Sequence, residues 1–200
     1  DHTEIYPLLM FAVGGMMLFP ASGDLLTLFV ALEVLSLPLY LLCGLARRRR
    51  LISQEAAMKY FLLGAFASAF LLYGVAMSYG AAATTSIQGL ARALAGTTGS
   101  QPLAVVGALL LVVGLGFKVS LVPFHMWTPD VYQGAPSPVT AFMAAATKVA
   151  GFVVLVRVLD VAFIGLQWDL APAIAVLSGV SMVVGSVLAI AQRDVKRMLA

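Results

Sequence analysis

The sequence predicts an all-α, polytopic membrane protein with about six transmembrane helices in a single domain spanning residues 1–200, and three observations carry that prediction. Of the 200 residues, 62% are hydrophobic and only 10% are charged, with a mean hydropathy of +1.01. An ordinary soluble domain carries about 25% charged residues, so this chain lacks the side chains to cover a water-facing surface. Apolar runs of about 20 residues, the length a helix needs to cross a bilayer, recur along it. The runs are separated by turn-forming or charged stretches, and their length argues for helices over buried strands.

Taken in order, the spans are 5–21, 25–45, 53–79, 102–122, 138–159 and 170–191. The first follows Asp1-His-Thr-Glu, which has neither a basic leader nor a clear cleavage site after it, so it does not read as a signal peptide. The chain lacks an initiator methionine and stops at RDVKRMLA, where a further helix could begin. It reads as a piece of a larger membrane protein. Pro20-Ala-Ser-Gly separates the first two spans, and Arg47-Arg-Arg-Arg50 the second and third. The stretch 80–101 is rich in small and polar residues. Ile87, Leu90, Ala91 and Leu94 recur there at helical spacing, so a short surface-lying helix and a plain linker both remain open. A proline-rich segment divides the fourth span from the fifth, and Asp160 to Asp169 divides the fifth from the sixth.

Lysine and arginine in short loops set orientation. With six spans, the loop Arg47–Arg50 and the segment Arg193–Arg197 fall on one side, which is expected to be the cytoplasm. The opposite loops hold Asp24, Arg92, Asp160 and Asp169. A lipid-binding role for the four arginines requires the same sidedness. The net charge of +3 is small, and no aromatic-interleaved basic face of the kind that binds nucleic acid is present. Cys43, the one cysteine, sits in an apolar run, and no CxxC or Cys/His cluster calls for a metal or haem.

The ionisable residues inside these spans carry the functional signal. On insertion scales a charge at a helix centre costs about 2.5–3.5 kcal/mol, and by default marks an ion or proton path. Glu33 lies nine residues after Asp24 and fourteen before Arg47, near mid-membrane at 1.5 Å per residue. It is either a neutral, hydrogen-bonded carboxyl or a proton site partnering a buried lysine. Lys118 precedes His125 by seven residues, placing both on roughly one face of a continuous helix. Lys148 lies about 15 Å of helix beyond Pro138. One carboxylate cannot neutralise two deep lysines, so at least one amine is better suited to exchanging protons than to pairing. Lys59 follows Glu55 by four, the favourable order for a helical ion pair, and either an interfacial salt bridge or a place on the path explains it. His125 is either a relay or an interfacial histidine beside Trp127. Arg157 and Asp160 read as interface anchors.

Two prolines stand beside these charges. Pro38 cannot donate to the carbonyl of Val34, nor Pro123 to that of Val119, and such freed groups must be satisfied by protein or water. Broken helices beside ionisable groups are how transporters build ion sites. Ser36, Tyr40, Ser120 and Thr147 are the hydroxyls placed to hold water nearby.

FKVSLVPFHMWTPDVYQGAPSPV, followed by TKVAGF, resembles the antiporter-like membrane subunits of the proton-pumping NADH–quinone oxidoreductase (respiratory complex I), of the N type. LEVLSLPLYLL around Glu33 and QEAAMKYFLLGAFASAFLLYG around Lys59 are similar to the same family. The related L and M types share the PFHxW element but usually differ after the PD. The resemblance implies an antiporter-like helical repeat with one helix discontinuous near Pro123. It also implies a central pair of Glu33 with Lys118, a central lysine at Lys148, and further positions at Lys59 and His125. Quinone, flavin and iron–sulfur sites belong to other subunits in that family, so no cofactor is expected in this chain. Implied with it are a bacterial inner membrane, lipid contact, partner membrane subunits, and protons and water as cargo. A subunit of a multi-subunit cation/proton antiporter and a non-conducting scaffold subunit are the alternatives.

Overall fold

The computed structural model describes residues 4–46, 50–95 and 101–200. In chain order the helices are α1 (Ile5–Ala21), α2 (Leu25–Cys43), α3 (Arg50–Ala82), α4 (Ile87–Ala95), α5 (Pro102–Val119), α6 (Thr128–Gly134), α7 (Ser137–Ala162), α8 (Ile164–Ala191) and α9 (Val195–Met198). Five of them, α2, α3, α5, α7 and α8, are long and apolar enough to cross a membrane. The equally apolar α1 has 17 residues, about 25 Å of helix, at the lower limit for a span. All six expected spans are helical. Of the arginine cluster, residues 47–49 lie outside the described residues, as do 96–100 of the loop before α5.

Each helix begins or ends for a local reason. Asp24 caps α2, its carboxylate accepting from the amides of Leu26 at 3.0 Å and Thr27 at 2.8 Å, the usual way an N-cap satisfies orphan donors. The turn before α2 is tied to the start of α4, where Leu25 donates to the carbonyl of Thr85 at 2.9 Å and Ile87 to that of Gly23 at 3.1 Å. Of the two readings open for 80–101, the short helix is the one formed. Its Ile87, Leu90 and Leu94 are buried against the C-terminal end of α7 and the first turn of α8. Arg157 is more than an interface anchor: its guanidinium donates to the carbonyls of Pro20 and Ser22, capping the last turn of α1 from α7.

Small residues bring α3 and α5 together. A Cβ on Gly74 would lie 2.8 Å from the amide of Leu111, and one on Gly107 would lie 2.7 Å from the Ser78 hydroxyl. In lipid, where apolar burial gives helices no special attraction for one another, such close backbone approach is a main source of association. The core between α1, α2, α3, α5 and α7 is filled by leucines together with Tyr60, Trp127 and Tyr132. By contrast, α8 buries only Leu166 and Leu170, and its exposed Trp168, Met182, Val183 and Ile190 face outward. An apolar outer surface of this kind is suited to lipid or to further helices.

The two prolines behave differently. Helix α2 runs through Pro38 to Cys43 without interruption, so the expected break beside Glu33 does not occur. The expected break near Pro123 does occur, but three residues earlier. Helix α5 ends at Val119, and Ser120 adopts the left-handed conformation, φ 63° and ψ 40°. Its amide donates to the carbonyl of Phe117 and that of Leu121 to the carbonyl of Gly116. Turns then carry the chain to α6. Because the helix has stopped, the expectation that Lys118 and His125 share a helix face is wrong: His125 lies in the turns, its carbonyl accepting from Thr128.

Candidate functional site

The site forms where α5 breaks. Lys118, in the last turn of α5, is 4% exposed. Its amine donates to the hydroxyls of Ser36 at 2.9 Å and Tyr60 at 3.3 Å and lies 5.7 Å from the Tyr60 ring centre. A cation at a helix C-terminus also meets the negative end of the helix dipole. Glu33 does not pair with it directly. Its carboxylate turns to α3 and accepts from Ser68, while Lys118 reaches Ser36, one turn further along α2. Between these two contacts lies a cavity of about 10 Å³ lined in part by Ser36, Ser68 and Lys118, about the volume needed to seat one water.

Lys148 completes the break from the other side. It follows the π turn Met143–Thr147 inside α7, a distortion found often at functional positions. Its amine donates to the carbonyl of Val119 at 3.1 Å and to the Ser120 hydroxyl. The carbonyl that Pro123 cannot serve is therefore satisfied by protein, and the donor is Lys148 rather than the adjacent Lys118. Left-handed backbone costs about 1–2 kcal/mol for a residue with a side chain. At Ser120 that conformation places hydroxyl and preceding carbonyl on one amine, and the hydroxyl lies 2.6 Å from that of Thr128 at the start of α6.

An aromatic pile separates the two amines. Tyr60 and Trp127 stack with ring centres 4.5 Å apart and planes 1° from parallel. The Trp127 indole donates to the carbonyl of Phe117 at 3.0 Å, which fixes it across the break. Lys148 lies 5.9 Å from the ring centres of both Trp127 and Tyr132. Tyr132 is fully buried.

The remaining candidates sit apart. Lys59 makes ion pairs at 2.8 Å with Glu55, as the four-residue spacing implies, and with Asp130 on α6. The other oxygen of Asp130 accepts from Arg197 at 2.8 Å, which also reaches Gln133. All three pairs are partly exposed, and they tie α6 to α3 and α9. The hydrogen bond from Lys59, and after it that from Arg197, hold the Asp130 carboxyl below the usual carboxylate range against the opposing effect of burial. His125 is partly exposed, and its buried Nδ1 has no hydrogen-bond partner among the described residues. Of the four hydroxyls expected to hold water, Ser36 and Tyr40 line the cavity beside Lys118 and Ser120 accepts from Lys148. Thr147 donates back to Met143 within its own helix, and Tyr40 packs edge-on against Tyr60. Tyr60, Ser68, Trp127, Thr128 and Tyr132 escaped the sequence reading. For Tyr60 a signal existed: Ala56, Tyr60, Gly64, Ala67, Leu71 and Gly74 recur at helical spacing and form the buried face of α3.

A polytopic helical bundle with a broken helix at a pair of inward-facing lysines defines a membrane protein that carries ionisable groups inside its bundle. Residues 22–200 match the family described as NADH:quinone oxidoreductase/Mrp antiporter, TM, and the chain belongs to that family. It is similar to the NADH-quinone oxidoreductase subunit N of Rhodococcus opacus, with 64% identity covering all of this chain and 37% of that protein. Among solved structures, it resembles a chain of respiratory complex I from Thermus thermophilus with bound aureothin, at 46% identity and TM-score 0.82, covering 98% of this chain and 41% of that one. It also resembles a chain of the Mrp complex from Dietzia sp., at 28% identity and TM-score 0.86, covering 97% and 36%. The chain thus spans well under half the length of the relatives it matches.

Proposed function

We propose that this chain is part of a proton-translocating subunit of an NADH:quinone oxidoreductase in a bacterial inner membrane, assembled with other membrane subunits. The observation that carries the reading is the pair of amines at the break. Lys118 and Lys148 both face the protein interior, and hydroxyls and a carbonyl hold them where a carboxylate would be needed to fix the charge. In lipid, ionisable side chains that line an interior in this way mark ion and proton paths. A proton moves between Glu33 and Lys118 through Ser68, Ser36 and a water in the cavity between them. Beyond Lys148 it continues along Ser120 and Thr128. The stacked Tyr60 and Trp127 divide these halves, so transfer between the amines waits on a rearrangement there. Lys59 stands outside the path, and with Asp130 it positions α6. The basic segments Arg47–Arg50 and Arg193–Arg197 face the cytoplasm. NADH oxidation and quinone reduction fall to partner subunits.

The test is Lys118→Ala in the full-length protein within its assembled complex, with proton uptake followed in inverted membrane vesicles. Pumping at least tenfold below wild type, with the complex intact, is expected; pumping at the wild-type rate rejects the reading. The resemblance to the Mrp chain favours one alternative, a cation/proton antiporter subunit. Sodium-driven proton exchange without NADH would single it out.

A further inference from the structure

Among the described residues the two lysines are joined by no continuous set of hydrogen bonds, and one residue of the intervening wall is chemically out of place. Tyr132 is fully buried, yet its hydroxyl has no hydrogen-bond partner among the described residues. Buried polar groups are almost always paired, and an exception points to a water or to a second arrangement of the site. The placement of this one is specific. The face of its ring lies 5.9 Å from the amine of Lys148. On the other side, the Tyr60 hydroxyl accepts from Lys118. Trp127 touches both tyrosines, stacked on Tyr60 and edge-on to Tyr132 at 6.3 Å. Tyr132 therefore reaches from the surroundings of one amine to those of the other.

We propose that the Tyr132 hydroxyl is the relay between Lys118 and Lys148, an inference that rests on the proton-path reading above. The Lys118 ammonium gives a proton toward the Tyr60 hydroxyl, and that hydroxyl passes its own proton on through an entering water. The Tyr132 oxygen takes a proton from that water and releases its own O–H proton to the neutral Lys148 amine. The phenol ends as it began, Lys118 is left neutral and Lys148 is charged, so atoms and charge balance. A swing of the long Lys148 stem away from Val119 and Ser120 brings its amine to the phenol. In the arrangement observed the hydroxyl is idle, and that idleness keeps the two halves of the path apart.

Tyr132→Phe tests this cleanly, because it removes one oxygen that makes no hydrogen bond and leaves the packing as it was. The full-length variant is assembled into its complex in membrane vesicles, beside Lys118→Ala and Lys148→Ala. Proton uptake and thermal unfolding are measured on each. The expected result for Tyr132→Phe is at least a fivefold fall in pumping with an unchanged or slightly raised unfolding temperature. If both lysine variants stop pumping while Tyr132→Phe pumps normally, the relay is wrong and the path stands. Normal pumping in the lysine variants overturns both. An unfolding temperature several degrees lower for Tyr132→Phe means the hydroxyl has a structural partner, which also overturns the relay.

Discussion

The chain holds its cations in two unlike settings. At the partly exposed edge, Lys59 and Arg197 share the two oxygens of Asp130, and Glu55 adds a second carboxylate to Lys59. At the break in α5, Lys118 and Lys148 meet hydroxyls, ring faces and a carbonyl, and neither makes an ion pair among the described residues. A carboxylate in contact favours the charged form of an amine and keeps its proton there, whereas neutral oxygens hold the amine in place and leave the proton transferable. The difference teaches that fixing a helix and moving a proton require opposite partners for the same side chain. Asp130 fixes α6, and Ser120 holds Lys148 at the break.

The largest effect that would sharpen this contrast comes from treating one lysine of each kind alike. In the assembled complex, Lys148→Met is expected to lower pumping at least tenfold and to lower the unfolding temperature modestly. The Val119 carbonyl loses its donor, a cost of about 1–3 kcal/mol, partly offset because the buried amine no longer has to be desolvated. Lys59→Met should leave pumping within twofold of wild type and cost at most about 1 kcal/mol of stability, the ceiling for exposed ion pairs. Equal loss of pumping in both, with assembly intact, would erase the distinction between edge and interior.

A smaller effect is expected at Ser120. Ser120→Gly removes the strain of the left-handed backbone, since glycine adopts it freely, but loosens the unfolded chain by about as much. Stability should hardly move. The hydroxyl between Lys148 and Thr128 is lost while the Val119 carbonyl still accepts from the amine, so pumping should fall only about threefold. No change in pumping would show that Thr128 and Ser120 lie outside the path.

Much of this architecture could be read from composition and run length. The six spans follow from run length and a break near Pro123 from where proline removes a donor, whereas apolar periodicity admits the helix at Ile87–Ala95 without deciding for it over a linker. What the sequence could not reveal is which partner each freed or charged group finds. The carbonyl of Val119 is as close in sequence to Lys118 as any could be, yet it is taken by Lys148, 29 residues away, because Ser120 turns left-handed and points it across to α7. Glu33 and Lys118 are an acid and an amine that could pair, yet each settles on a serine, because Ser36 and Ser68 stand on the facing sides of α2 and α3. Pro38 leaves α2 helical and Pro123 follows a helix that has already ended, a distinction set by tertiary packing and absent from either proline's neighbours.

The least effect belongs to the edge itself and carries a definite sign. Its carboxyl is held below the ordinary aspartate value of 3.8, chiefly by the hydrogen bond from Lys59 and then by that from Arg197. A group whose folded value is lowered contributes stability at all pH above its unfolded value and loses it as pH falls through the folded one. The tie between α6, α3 and α9 should therefore be constant from about pH 7 down to about pH 4 and weaken only below that. Asp130→Asn should remove this acid-dependent part while costing no more than about 1 kcal/mol at neutral pH, and should leave pumping per NADH unchanged. Thermal unfolding of the wild type and the variant across that range measures it. A loss of the Asp130 contribution already between about pH 7 and pH 5 would mean that the carboxyl is not held low. The contrast between a fixed edge and a mobile interior would then lose its fixed half.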